Sequence, residues 1–140
     1  MENLLYKYAK IELEQFAMFE ENIKHEINEI QFQTETMFRY DKEQHVLCSK
    51  ICVTFTKSNA PLIKAIINSY FLIHEDSIKE ITSEDNRIIF PSSVLVQFAS
   101  LNYGSLRGVI FLKTVNTELA NYILPPVFFN EIINENFIVE

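Results

Sequence analysis

The chain has 140 residues, 48% of them hydrophobic, and a formal net charge of −7. This length suits one domain with a substantial core, and the apolar content excludes a disordered chain. The negative charge argues against nucleic-acid binding, because nucleic-acid binders concentrate Lys and Arg on one face. No apolar run approaches the ~20 residues of a membrane helix, and the N-terminus lacks a signal-peptide pattern. We therefore expect a single cytoplasmic domain over residues 1–140.

The first half of the chain alternates between apolar and polar residues, with the period of two that is typical of β-strands. In the first strand, Ile11 and Leu13 alternate with Glu12 and Glu14. The alternation then loses register, which predicts a β-bulge. Residues 29–40 alternate more regularly, so that one face is apolar or carries Thr and the other is polar.

Two further strands are predicted after a polar turn at residues 41–44. Val46–Thr56 again alternates, whereas Ile63–His74 is apolar on both faces. A strand of the second kind is covered on two sides, or is covered on one side by another subunit. Four long strands joined by short polar loops predict an antiparallel sheet.

The apolar period changes from two to that of a helix after Pro91. Pro suits the first turn of a helix, where its missing N–H has no intrahelical partner. The apolar residues at helical spacing are Val94, Leu95, Phe98 and Leu101. We expect Gly104 to break or bend this helix, so that Ser105–Thr114 forms a second segment.

The C-terminal part begins with an extended passage at Pro125 and Pro126, which cannot continue a helix. Asn130 is a candidate cap for a last helix over Glu131–Phe137. Strands first and helices last predict an α+β fold, with a four-stranded antiparallel sheet, a long helix that is broken or bent at Gly104, and a short C-terminal helix. The helices are expected on one face of the sheet.

The two cysteines are the first candidates for chemistry. Cys48 and Cys52 share one face of a strand, but residues four apart on a strand lie about 13 Å from each other. This separation is too large for one metal ion or a disulfide. No second pair of ligands follows, as a structural zinc site requires. We therefore predict no metal site.

Catalytic side chains are not grouped in any known signature. His25, His45 and His74 are scattered between elements, and none accompanies a nucleophile motif. Ser92 and Ser93 follow Pro91 at a helix start, where Ser is favoured for capping. We therefore predict neither an enzyme nor a cofactor.

Aromatic residues are the main functional candidates. The chain contains twelve Phe and six Tyr residues but no Trp. So many aromatics in a small domain indicate a crowded core or an apolar surface kept for partners. The residues predicted to form a surface that binds unfolded chains are Phe16, Phe19, Phe32, Phe38, Tyr40, Tyr70, Phe71, Leu101 and Tyr103.

Three motifs follow one another in the second half: NRIIFP at 86–91, Arg107-Gly108, and ILPPVF at 123–128 followed by Asn130-Glu131. In this order they resemble the SecB family of protein-export chaperones. The likeness is to its compact branch, which lacks the zinc-binding C-terminal tail and includes chaperones of toxin–antitoxin systems. It covers residues 86–133 by motif and roughly 8–138 by the order of elements. It implies structural roles for Pro91, Arg107, Gly108, Pro125 and Pro126.

The resemblance implies an ATP-independent holdase without a cofactor. Its clients would be unfolded polypeptides or preproteins, or an antitoxin, and the export motor stays open as a partner. The family also implies a homo-oligomer, a dimer or tetramer, that assembles through edge strands and long helices. Arg107 would tie the helix to the sheet or one subunit to another.

Two other functions remain open. An interaction or scaffold protein would use the same fold to bind one dedicated folded partner tightly. A small-ligand carrier or an enzyme would enclose a pocket with a few convergent polar groups. The sequence contains no signature of such groups.

Overall fold

A four-stranded antiparallel sheet forms the centre of the protein. The computed structural model describes residues 4–22, 30–120 and 122–140, so that His25 and Glu29 lie outside the described residues. The strands are β1 (Tyr6–Met18), β2 (Ile30–Asp41), β3 (Val46–Lys57) and β4 (Ala60–Ile73). Their order in the sheet is β1-β4-β3-β2, with all neighbours antiparallel. The predicted antiparallel sheet is thereby confirmed.

Short helices, one long helix and a small ribbon follow the sheet. The elements are α1 (Glu75–Glu80), β5 (Ile88–Phe90), α2 (Ser92–Thr114), α3 (Phe129–Ile132) and β6 (Phe137–Val139), and a 3-10 turn at Glu20–Asn22 follows β1. Strands β5 and β6 pair with each other in a separate two-stranded sheet. Helix α2 packs across β3 and β4. The predicted α+β class, with a long helix and a short C-terminal helix, is therefore confirmed.

The two edges of the main sheet differ in regularity. The pairing of β1 with β4 shifts between Tyr8 and Lys10 and again between Leu13 and Gln15. The second shift confirms the predicted bulge. In contrast, β2 pairs with β3 along its whole length without a shift.

The covered face of the sheet follows from the alternation in sequence. Leu47, Ile51 and Val53 of β3 are fully buried on the face that α2 covers. On β4, Tyr70 and Leu72 point to the opposite face, and no described helix packs there. Coverage of β4 on both sides within the chain is therefore wrong for the described residues, and coverage by another subunit stays a prediction.

Helix α2 is continuous through Gly104, so the expected break is wrong. A glycine inside a helix costs only about 1 kcal/mol relative to Ala. The buried side chains of Tyr103, Leu106 and Ile110 flank that position and hold the helix on the sheet. Pro91 is the N-cap with an extended backbone, one position before the predicted one.

Replacing Gly104 with Ala should raise the free energy of unfolding by about 0.5–1 kcal/mol. A Cβ at this position meets no atom within 4 Å, so the substitution removes backbone entropy from the unfolded chain without a clash. Urea denaturation followed by far-UV circular dichroism measures the change. The exposed Ser100→Gly on the same helix should shift stability in the opposite direction. A loss of stability in Gly104→Ala would contradict a straight helix.

The C-terminal segment differs from the prediction. Helix α3 ends at Ile132, Asn130 lies inside it rather than before it, and Phe137 belongs to β6. The predicted helix over Glu131–Phe137 is therefore wrong. The reason is a long-range contact, because Phe137 pairs with Phe90 and their rings stack with centroids 6.0 Å apart.

A buried polar group lies in the middle of the contact between α2 and the sheet. The side chain of Asn102 is fully buried. Its Nδ2 donates to the Ser49 carbonyl at 2.8 Å and to the Ile67 carbonyl at 3.2 Å, and its Oδ1 accepts from the Ser69 hydroxyl at 2.5 Å. The Ser69 hydroxyl also pairs with the Tyr8 hydroxyl at 2.5 Å. These bonds fix the position of α2 along the sheet.

Candidate functional site

The outer side of β2 is an open strand edge. In the described residues β2 pairs only with β3, so the backbone groups on its other side have no strand partner. The side chains on its helix-facing side are half-buried: Phe32, Thr34, Thr36, Phe38 and Tyr40. The side chains between them are exposed and mostly polar. The edge thus combines free backbone groups with one partly apolar face.

A groove runs between β2 and the C-terminal segment. It contains a cavity of about 460 Å³, lined by Thr36 and Phe38 of β2, by Leu95 of α2 and by residues 132–137. The rings of Phe38 and Phe137 close its end, with centroids 6.4 Å apart. The groove is open to solvent along β2 and can therefore receive side chains from outside.

Two hydroxyl groups beside this groove are unsatisfied. Thr34 Oγ1 and Thr36 Oγ1 are buried and have no hydrogen-bond partner among the described residues. Leaving a buried polar atom without a partner costs about 1–3 kcal/mol. A chain that entered the groove could supply the missing partners.

Three of the nine predicted client-binding residues lie along this edge. They are Phe32, Phe38 and Tyr40, all on the helix-facing side of β2. The Tyr40 ring contacts the Phe90 ring at 5.0 Å, and its hydroxyl lies 3.2 Å from His45 Nδ1. Thr34 and Thr36 lie between Phe32 and Phe38 on this face.

Two of the nine are core residues. Phe71 is fully buried and stacks on Phe98 with ring centroids 4.2 Å apart. Tyr103 is buried and donates a hydrogen bond to the Pro125 carbonyl. Burial raises the pKa of Tyr103 to about 12. A client could reach neither side chain without opening the core, so neither Phe71 nor Tyr103 belongs to an accessible binding surface.

The remaining four are dispersed. Phe16 lies near the end of β1 and Phe19 follows that strand, at the opposite edge of the sheet from β2. Tyr70 lies on the open face of the sheet, where its hydroxyl donates to Glu12 Oε1 at 2.9 Å. Leu101 is exposed on α2. The nine residues therefore do not form one surface.

Of the residues given structural roles, Pro125 contacts α2, because its carbonyl accepts a hydrogen bond from Tyr103. Pro125 and Pro126 lie in the segment 122–128, which has no regular structure. Arg107 is exposed, and its guanidinium lies 5.7 Å from the centre of the Tyr103 ring. Gly108 is exposed on the same helix. Arg107 thus does not tie α2 to the sheet within the chain.

The opposite edge of the sheet carries an exposed apolar strip. Ile11 and Leu13 of β1 and Leu101 of α2 are all exposed. Leu101 lies one helical turn from Gln97 and from Ser105, which both hydrogen-bond to β1. The Gln97 side chain donates to the Tyr6 hydroxyl at 3.1 Å, and the Ser105 hydroxyl lies 3.3 Å from the Tyr8 hydroxyl. We call Ile11, Leu13 and Leu101 the β1 strip.

The open face of the sheet offers little chemistry. Burial raises the pKa of the Cys48 thiol, although Arg39, which donates to its Sγ at 3.6 Å, acts in the opposite direction. Hydrogen bonds from Asn68 and Lys50 lower the pKa of Glu14. Within the described ranges, no group of three or more His, Cys, Asp or Glu side chains is placed to hold a metal ion.

Sequence reasoning missed the residues that close the groove from the other side. Leu95, Ile133 and Phe137 line it, and all three come from distant segments. The apolar residues after Pro126 indicate a segment that packs on the rest of the protein. The predicted helix over 131–137 placed Ile133 and Phe137 in the wrong element.

Comparison with known proteins identifies no family. No helix in the described part of the chain is long and apolar enough to cross a membrane. No protein-family model matches this sequence, and no curated protein matches it. The groove beside β2 is therefore interpreted from its own geometry.

Proposed function

We propose that this protein is an ATP-independent holdase of SecB-like type, which binds unfolded or aggregation-prone chains along β2. The observation that carries the proposal is the edge of β2, which has no strand partner in the described part of the chain and lies beside a partly apolar groove. Backbone hydrogen bonds at a strand edge do not depend on the sequence of the client, and apolar pockets beside the edge accept alternate side chains. Unrelated unfolded segments could therefore bind in the same way.

A client added to β2 would form a fifth strand of the sheet. Because successive side chains of a strand point to opposite faces, every second client residue would face the groove. Those residues would contact Phe32 and Phe38 and fill the cavity lined by Thr36 and Leu95. The intervening residues would face solvent. The site thus favours extended segments with apolar residues at alternate positions.

The β1 edge is suited to a different partner. Bulges interrupt its pairing pattern, and proteins use such bulges to make strand edges unsuitable for added strands. Its exposed apolar strip, formed by Ile11, Leu13 and Leu101, extends from the sheet onto α2. We propose that copies of the chain associate there as a closed dimer or tetramer in the cytoplasm, as the SecB resemblance implies.

Suppression of aggregation tests the proposal directly. A chemically denatured, slow-folding client is diluted with and without stoichiometric amounts of the protein, and light scattering is followed. We expect scattering to fall in proportion to the added protein without ATP, and sedimentation to give a mass above that of one chain. Unchanged scattering with several unrelated clients would contradict the holdase. It would favour an interaction protein with one dedicated folded partner.

A further inference from the structure

A second cavity lies on α2, away from the groove beside β2. Its volume is about 400 Å³, and it is formed by the C-terminal half of the helix and residues 122–124. Gly104 and Gly108 line it, and a Cβ at either position would meet no atom of the described residues within 4 Å. Phe111 and Ile123 form its walls and are 62% and 70% exposed. We call this cavity the glycine trough.

One cation lies at the glycine trough. Arg107 lines it between the two glycines, and none of the described lining residues carries a carboxylate. Among the described residues Arg107 forms no ion pair. Its guanidinium lies beside Tyr103, with which it also has a side-chain hydrogen bond, and since a guanidinium carries five N–H donors, others remain for a ligand. The trough therefore combines a largely apolar lining with a single positive charge.

We propose that the glycine trough binds a single-chain amphiphile with a carboxylate head, such as a medium-chain fatty acid. The planar guanidinium of Arg107 would bind the carboxylate through two parallel hydrogen bonds, a bidentate geometry for which it is suited. The alkyl chain would lie over Gly104 and Gly108, against Phe111 and Ile123. The volume is within the range of small-molecule sites. This site is separate from β2, so the inference goes beyond the proposed function.

Charge distinguishes this ligand from a second copy of the chain. In a two-fold symmetric contact both copies use the same patch, so the two Arg107 charges would be brought into one interface. Among the described residues that line the trough, no carboxylate is present to compensate. Like charges placed together at an interface oppose binding. An anionic amphiphile has no such conflict.

Calorimetric titration with decanoate, below the concentration at which it forms micelles, tests the inference on the full chain. We expect saturable binding at one site per chain, with affinity rising about fourfold per methylene from octanoate to decanoate. Decyltrimethylammonium, which has the same tail and the opposite charge, should bind at least tenfold more weakly. Equal binding of the two amphiphiles, or the absence of decanoate binding, would overturn the assignment.

Three variants locate the site. Arg107→Gln should weaken decanoate binding about tenfold, and Gly108→Leu should abolish it by filling the trough. Lys113→Gln is the matched control, because Lys113 is on the same helix but lies over Phe16 at 6.0 Å and does not line the trough. Equal losses in Arg107→Gln and Lys113→Gln would refute the site. So would a Gly108→Leu variant that keeps decanoate binding but changes the sedimenting mass, because the trough would then be a contact between copies.

Discussion

Replacing Thr36 with Lys should largely abolish the suppression of client aggregation, whereas replacing Gln33 with Lys should preserve it. Both positions are on β2 and both substitutions add one positive charge, but the two side chains point to opposite faces of the strand. Thr36 lines the groove and its hydroxyl has no partner among the described residues, so the substitution breaks no described hydrogen bond. A Lys there would place an ammonium group where apolar client residues would pack.

The expected size of this effect follows from the cost of desolvating a charge. We expect the amount of Thr36→Lys protein needed to halve light scattering to rise about tenfold or more. Circular dichroism of both variants should match that of the unaltered protein. A Thr36→Val variant separates the roles of shape and polarity, because it removes only the hydroxyl. If Gln33→Lys were impaired as strongly as Thr36→Lys, the loss would come from charge alone, and the groove would not be the client site.

Replacing Asn102 with Ala should lower the free energy of unfolding by about 2–4 kcal/mol. The substitution removes four hydrogen bonds, one of them to the Ser49 hydroxyl, and leaves a cavity under α2. The Ser69 hydroxyl also loses its acceptor. Urea denaturation at one fixed protein concentration measures the change, because self-association would otherwise alter the apparent stability. Far-UV circular dichroism is the suitable signal, since the chain has no Trp.

A double variant tests whether the polar group itself is responsible. Asn102→Leu with Ser69→Ala replaces both members of the Asn102–Ser69 hydrogen bond by apolar side chains, which is less destabilising than removing one of them. The Ser49 and Ile67 carbonyls still lose their donor, so we expect the double variant to recover only part of the loss. The exposed Asn130→Ala should change stability by no more than about 0.5 kcal/mol. A loss below about 1 kcal/mol in Asn102→Ala would show that the bonds to Ser49 and Ile67 contribute little.

The strands could be predicted because one face of the sheet is covered and the other is not. In β3 the buried residues Leu47, Ile51 and Val53 recur with a period of two. The loss of alternation after Leu13 coincides with a shift in the pairing of β1 with β4. Local patterning therefore accounts for most of the sheet.

Two elements could not be predicted because distant contacts decide them. Gly104 favours a break locally, but the packing of Leu106 and Ile110 against the sheet outweighs that preference. Phe137 follows a helix-like segment, yet it pairs with Phe90, which lies far back in the chain. Neither contact leaves a local signal in the sequence.

The candidate site was predictable only by residue type. Tyr70 and Phe71 are neighbours with similar side chains, but one lies on the open face and the other in the core. Alternation separates the two faces of a strand without showing which face the helix covers. The groove could not be predicted from the sequence for a second reason. Leu95 and Ile133 line it only because α2 and α3 pack beside β2.

The unequal edges of the sheet also limit how copies of the chain can add to each other. Growth into a filament would require β2 of one copy to pair with β1 of the next, in a head-to-tail contact that does not close. The bulges after Tyr8 and Leu13 break the spacing of backbone groups that the regular β2 edge would need. One strand edge can therefore remain open to other chains while the protein does not template its own polymerisation.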